Sequence, residues 1–180
     1  LSTTPTVEVM VPWEGCDGGI ILTASHNPVE WNALKLLNAR GEFLSAEDGA
    51  QILARVQAGR FEYAPVHEMG EIIPVHDAID RHVQSILALE DVDVEAIRAA
   101  HFRVAVDAVN STGGIAVPAL LDALGVTNQE LLYCEPHGQF PHNPEPLRKH
   151  LDAICALVPA KKCDLGVVVD PDVERLVLVS

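Results

Sequence analysis

The sequence predicts an α/β protein of two units, each with mixed or parallel sheets covered by helices. Three observations carry that expectation. Through the second half of the chain, short apolar runs alternate with segments of helical periodicity, the pattern of a sheet built by crossovers. Two of those runs, FRVAVDA at 102–108 and LGVVVD at 165–170, are apolar almost without interruption, as strands buried on both faces are. Between residues 61 and 74 the periodicity lapses around Pro65 and Pro74. A boundary belongs there, giving a first unit at 1–73 and a second at 74–180.

Taken in order, GIILT at 19–23 and ALKLL at 33–37 read as two strands flanking a loop, the second closed by a turn at 39–41. Ser45 and Asp48 have the spacing of a capping box, and the helix they open runs to Ala58, where Gly59 supplies a C-cap. The second unit opens with a helix over 75–89, in which Ile79, Val83, Ile86 and Leu87 recur at helical spacing. A short helix over 94–99, a strand at 102–108, a helix at 115–124 and a strand at 130–134 follow. A helix at 146–157 and the strand at 165–170 complete the series. Ligands of such sheets bind at the carboxyl ends of the strands.

With 48% apolar residues in 180, the chain can bury a sizeable core. Its formal charge of −14 argues against polyanionic partners, so no nucleic acid and no anionic membrane surface is expected. No apolar stretch reaches eighteen residues, and residues 1–5 (LSTTP) lack a basic-then-apolar leader, so a cytoplasmic location is expected. Cys16, Cys134, Cys155 and Cys163 form no C-x-x-C pair and read as reduced structural thiols. The oligomeric state is not legible in this composition.

Three segments carry chemistry. Thr23 to Pro28 (TASHNP) follows a strand directly and sets a hydroxyl, an imidazole and an amide at Ser25, His26 and Asn27, before a proline that stiffens the exit. Such a serine is either an exposed nucleophile at the tip of a rigid element or part of an ordinary turn. DPDVER at 170–175 follows the apolar strand with carboxylates at alternate positions. In an extended loop, Asp170, Asp172 and Glu174 point the same way and could hold one hard cation; the other reading is a solvated acidic turn. Arg175 beside them suits bidentate contact with a phosphate. Lys35, inside an apolar strand, is either the solvent-facing member of the alternation or a tuned acid–base group. NSTGG at 110–114 joins a strand to a helix and reads first as a structural turn, since it lacks the lysine and spacing of a P-loop.

Together and in this order, these segments resemble the α-D-phosphohexomutase family of phosphoglucomutases, phosphomannomutases and phosphoglucosamine mutases. TASHNP is similar to the family's phosphoserine loop, Asn32 to Lys35 to its N-G-x-K stretch, and DPDVER to its D-G-D-x-D-R magnesium loop. TTPTVE at 3–8 and FPHNPEP at 140–146 also resemble family segments. The resemblance implies intramolecular phosphoryl transfer on a hexose phosphate, with hexose 1,6-bisphosphate as intermediate and activator. It implies Ser25 as the phosphorylated nucleophile, and Mg2+ held by Asp170, Asp172, Glu174 and a phosphoserine oxygen of Ser25. His26 and Lys35 become proton-handling or phosphate-orienting neighbours, and Arg175 a phosphate ligand. Two positions depart from the family pattern: Glu174 stands where aspartate is usual, and Pro171 where glycine is.

The resemblance further implies that residues 1–73 are the later part of a first family domain and 74–180 a second. A chain without the remaining domains is then not expected to turn over substrate alone. PHNPEP and DPDV lean towards phosphoglucosamine-mutase-like members, though the hexose is not specified. Two other readings stand beside this one. Strand-then-Asp-x-Asp is also the nucleophile signature of haloacid-dehalogenase-type phosphatases, with Asp170 as nucleophile, although those enzymes carry it near the start of their domain. The chain could also be a non-catalytic phosphosugar-binding piece.

Overall fold

The computed structural model describes residues 1–28 and 30–180. Its first unit begins with a helix that periodicity alone does not reveal, α1 (Thr4–Trp13). Local chemistry explains it: Thr3 is the N-cap, its hydroxyl accepting from the Thr6 N–H, and Pro5 in the first turn has no N–H to leave unsatisfied. β1 (Gly18–Leu22) and β2 (Leu34–Asn38) pair antiparallel, from Gly18 against Asn38 to Leu22 against Leu34. The tight turn after β2 needs Gly41, whose φ is 78° and whose missing Cβ would be driven into the Glu8 carbonyl of α1. α2 (Ala46–Ala58) has the expected reciprocal box between Ser45 and Asp48, and Gly59 closes it in a left-handed conformation.

α3 (Ala78–Leu87) and α4 (Val94–Ala100) lead into a four-stranded sheet ordered β4-β3-β5-β6, from β3 (Arg103–Asp107), β4 (Asn128–Leu132), β5 (Leu165–Val169) and β6 (Leu176–Val179). β3 pairs parallel with both β4 and β5, and β6 returns antiparallel along β5. Crossover helices α5 (Gly113–Ala123) and α6 (Asp152–Lys161) cover opposite faces. Val104, Val106 and Val169 pack with Val117, Leu121 and Leu124 on one side. Ala105 and Val168 pack with Leu151, Ile154 and Val158 on the other. Burial on both faces is why these strands read as unbroken apolar runs.

Two expectations change. The helix expected over 146–157 begins only at Asp152, because Asn143 Oδ1 accepts the Glu145 N–H in a local turn and Leu147 is extended, followed by a single 3-10 turn at Arg148–His150. β6 was not expected. Its residues alternate between exposed and half-buried, as an edge strand does, with Leu176 and Leu178 outward.

α3 joins the two units. On one side it meets α1, where the Thr6 hydroxyl lies 3.0 Å from His82 Nδ1 and Arg81 pairs with Glu14. On the other it meets α5. The FPHNPEP segment is tied down at the end of β3, where His142 Nε2 sits 3.0 Å from Asp107 Oδ2 and Asp107 is fully buried. The bond to Asp107 raises the His142 imidazole above its ordinary value near 6.5, against the opposing effect of burial. A raised histidine contributes stability that is complete below its ordinary value and is lost as pH rises through the raised one. His142→Asn should therefore flatten the pH dependence of unfolding free energy above pH ~6.5, by up to ~1 kcal/mol after solvent screening. Chemical denaturation across that window tests it; parallel wild-type and variant profiles would show that the pair carries no charge linkage.

Candidate active site

The carboxyl ends of β1 and β5 bring the two loops together, and the N-terminus of α1 closes the third side. Ser25 leaves β1 in a left-handed conformation with φ 51°. A non-glycine residue there costs about 1 kcal/mol or more, so its surroundings must hold it. They do: the Ser25 N–H donates to Thr23 Oγ1 at 2.9 Å, and both the Asn27 N–H and its amide Nδ2 donate to the Ala24 carbonyl, at 3.1 and 2.8 Å. The Ser25 hydroxyl is thereby aimed across the gap between units and donates to Asp170 Oδ2 at 2.7 Å. His26 Nδ1 is 3.2 Å from the same hydroxyl oxygen.

DPDVER is a compact turn rather than the extended loop expected. Val173 has φ 66°, its N–H donates to the Asp170 carbonyl, and Asp170 Oδ1 accepts the N–H groups of Glu174 and Arg175, both at 2.9 Å. The hydroxyls of Ser111 and Thr112 brace the turn by donating to the Pro171 carbonyl at 2.7 and 2.8 Å. NSTGG is thus a brace for the acidic loop. Gly114 within it lies so close to Cys134 that a Cβ would overlap the Cys134 carbonyl.

The carboxylates consequently divide their work. Asp170 is fully buried; burial pushes its carboxyl up, and the Arg175 N–H and the Ser25 hydroxyl only partly offset that. Asp172 is also buried, which alone would raise it, but the Lys35 ammonium 2.7 Å from Oδ2 holds it below the usual carboxylate range. Lys35 Nζ is also 2.5 Å from Glu174 Oε2. Burial would lower the Lys35 ammonium, but these two carboxylates outweigh it and hold the pKa above its ordinary value. Glu8 on α1 is raised by burial and by the nearby charge of Glu174. Four carboxyl groups therefore share the cleft with the Lys35 ammonium, since Arg175 pairs instead with Glu145 at 3.0 Å.

Residues 80–180 match the family model described as phosphoglucomutase/phosphomannomutase, alpha/beta/alpha domain II, and residues 1–63 match domain I of the same family. The chain belongs to the phosphoglucomutase/phosphomannomutase family. It is 34% identical to a Methanopyrus kandleri protein named as a probable phosphoglucosamine mutase, over 98% of this chain and 38% of that protein. It is also 34% identical to a Thermococcus kodakarensis phosphoglucomutase/phosphomannomutase, over 100% of this chain and 39% of that protein. A crystal structure of a phosphoglucomutase/phosphomannomutase family protein from Burkholderia thailandensis superposes with a TM-score of 0.73 at 25% identity, covering all of this chain and 39% of the other. The chain thus spans about two fifths of the length of these relatives.

The phosphohexomutase family resemblance drawn from the motifs therefore holds, as does the two-unit α/β architecture. Sequence reasoning missed Thr4 and Thr23, whose hydroxyls both donate to Asp172 Oδ2 at 3.1 Å, and Glu8 and Glu145 as charged neighbours. Only the TTP helix start and the position of Thr23 at the head of TASHNP could have pointed to the threonines. Among the described residues, no three His, Cys, Asp or Glu side chains close around one point as metal ligands. The donor set nonetheless fits a hard divalent cation. Asp172 Oδ1 is buried without a hydrogen-bond partner, and Asp170 Oδ2 and Ser25 Oγ, both hard oxygen donors, meet at 2.7 Å. No helix is long and apolar enough to cross a membrane among the described residues.

Proposed function

We propose that the full-length protein interconverts the 1- and 6-phosphates of a hexose by phosphoryl transfer through a phosphoserine at Ser25, acting on glucosamine phosphate or on the related glucose and mannose phosphates. The observation that carries this reading is the strained Ser25, held at φ 51° with its hydroxyl 2.7 Å from Asp170 across the junction of two family domains. Backbone strain maintained by surrounding bonds is one way a nucleophile is held in position. The name of the Methanopyrus kandleri relative and the PHNPEP and DPDV segments support the amino sugar.

In the forward half-reaction a sugar hydroxyl oxygen attacks the phosphorus on Ser25. The bond from phosphorus to Ser25 Oγ breaks, and a hexose 1,6-bisphosphate forms. In the return half-reaction Ser25 Oγ attacks the phosphorus of the other phosphate, and the bond from that phosphorus to the sugar oxygen breaks. The sugar oxygen takes a proton in place of the one the attacking hydroxyl gave up, so no phosphate is consumed. His26, with Nδ1 3.2 Å from Ser25 Oγ, is placed to give that oxygen a proton as its bond to phosphorus breaks and to take the proton back in the return step. Lys35, paired with Asp172, serves as a positive donor to phosphoryl oxygens. Arg175 serves the same phosphate after exchanging Glu145 for it. Asp170, Asp172, Glu174 and a phosphoserine oxygen of Ser25 would hold Mg2+, with Glu174 released from Lys35. The ion, when bound, supplies charge neutralisation at the transferring group.

The domain division at 73/74 and a cytoplasmic setting belong to the same proposal. Turnover is expected of the full-length protein and not of these 180 residues alone. Intact-mass analysis with site mapping, after incubation of the full-length protein with hexose 1,6-bisphosphate and Mg2+, tests the reading. An acid-stable phosphate on Ser25 is expected. A hydroxylamine-labile phosphate on Asp170 would favour dehalogenase-type chemistry, and bisphosphate binding without any phosphorylation would leave a phosphosugar-binding protein.

A further inference from the structure

Thr4 is fully buried, its partners lie 168 residues away, and no step of the reaction above uses it. Its hydroxyl is not needed to cap α1, because Thr3 already does so through the Thr6 N–H. Instead it reaches the other unit twice: the N–H donates to the Asp172 carbonyl at 2.9 Å, and the hydroxyl donates to Asp172 Oδ2 at 3.1 Å. Thr23 and Lys35 donate to the same oxygen, at 3.1 and 2.7 Å. Oδ2 is therefore saturated by three donors, while Oδ1 is buried and has none. A carboxylate with all its donors on one oxygen cannot rotate without losing them, and its other oxygen, buried without a donor beside Ser25 and Asp170, is where a cation would be accommodated. α1 is itself fixed against α3 by the contact of the Thr6 hydroxyl with His82, so Thr4 acts from a rigid base.

We propose that Thr4 is a positioning residue: its hydroxyl and N–H clamp Asp172 so that Oδ1 is the oxygen presented to a divalent cation beside Ser25. The inference rests on the cation site of the proposed function, and its test separates the two. Thr4→Val keeps the shape and the N–H but removes the hydroxyl; Thr4→Ser keeps the hydroxyl and removes a methyl group. Calorimetric titration of the full chain with MgCl2 should show about tenfold weaker binding for Thr4→Val and a change within about twofold for Thr4→Ser. Amide hydrogen exchange without metal supplies the second readout. Residues 172–175 should exchange at least about threefold faster in Thr4→Val and at the wild-type rate in Thr4→Ser. A valine variant that matches wild type in both measurements overturns the proposal. So does equal impairment of both variants, which would make Thr4 a packing residue. If wild type shows no Mg2+ binding, or Asp172→Asn leaves it unchanged, the cation site fails, and exchange alone still decides whether the hydroxyl holds Asp172.

Discussion

Ser25→Ala is expected to abolish phosphate incorporation from hexose 1,6-bisphosphate and to lower mutase turnover of the full-length protein by at least about 10^4-fold. The size of the effect follows from the absence of a substitute. Thr23 Oγ1 is engaged by the Ser25 N–H and by Asp172, and no other hydroxyl hydrogen-bonds Asp170 Oδ2 among the described residues. Stability should change far less. The variant loses the hydroxyl's bonds to Asp170 and His26 and leaves Asp170 Oδ2 without its serine donor in a buried position, a cost of about 1–2 kcal/mol. Radiolabel incorporation and a denaturation midpoint measured together distinguish the two effects. Retained phosphorylation would move the nucleophile to another residue.

The second large effect is expected from Asp172→Asn. The substitution preserves shape but removes the charge whose Oδ2 collects Thr4, Thr23 and Lys35 and whose Oδ1 is free. Mg2+ affinity should fall by at least about tenfold, since a neutral amide is a weaker ligand for a hard cation. Folding stability should fall by about 1–2 kcal/mol, less than for a fully buried pair because the Lys35 side chain keeps 18% of its exposure and Glu174 remains beside it. The Lys35 ammonium should also titrate at lower pH. A pKa raised by carboxylate partners stabilises the fold below the ordinary lysine value and loses that contribution as pH rises through the raised one. The variant should therefore lose part of its alkaline stability dependence. A magnesium titration indistinguishable from wild type would place the cation elsewhere.

Local chemistry made much of the fold legible. Ser45, Asp48 and Gly59 mark the ends of α2 through bonds made within one turn, and the apolar runs of β3 and β5 record burial on both faces. α1 escaped because four of its ten residues are buried without a clean helical stripe, two of them threonines facing polar partners. β6 escaped because an edge strand of four residues has too short a period to read. The start of α6 was misjudged because an Asn143 turn competes with the helix for backbone donors.

The sequence by itself determined the family, the α/β class and the identity of the chemical groups, because motifs such as TASHNP and DPDVER are contiguous and each sits at a strand end. Only the tertiary structure decided how those groups share their charges. Lys35 and Asp172 are 137 residues apart, and Ser25 and Asp170 are 145 apart. Whether Lys35 faces solvent or an acid, and which oxygen of Asp172 stays free, depend on where α1, β1 and β5 end in space. Those positions come from packing of α1 on β1 and α3, of α3 on α5, and of β5 within its sheet, which no local pattern encodes.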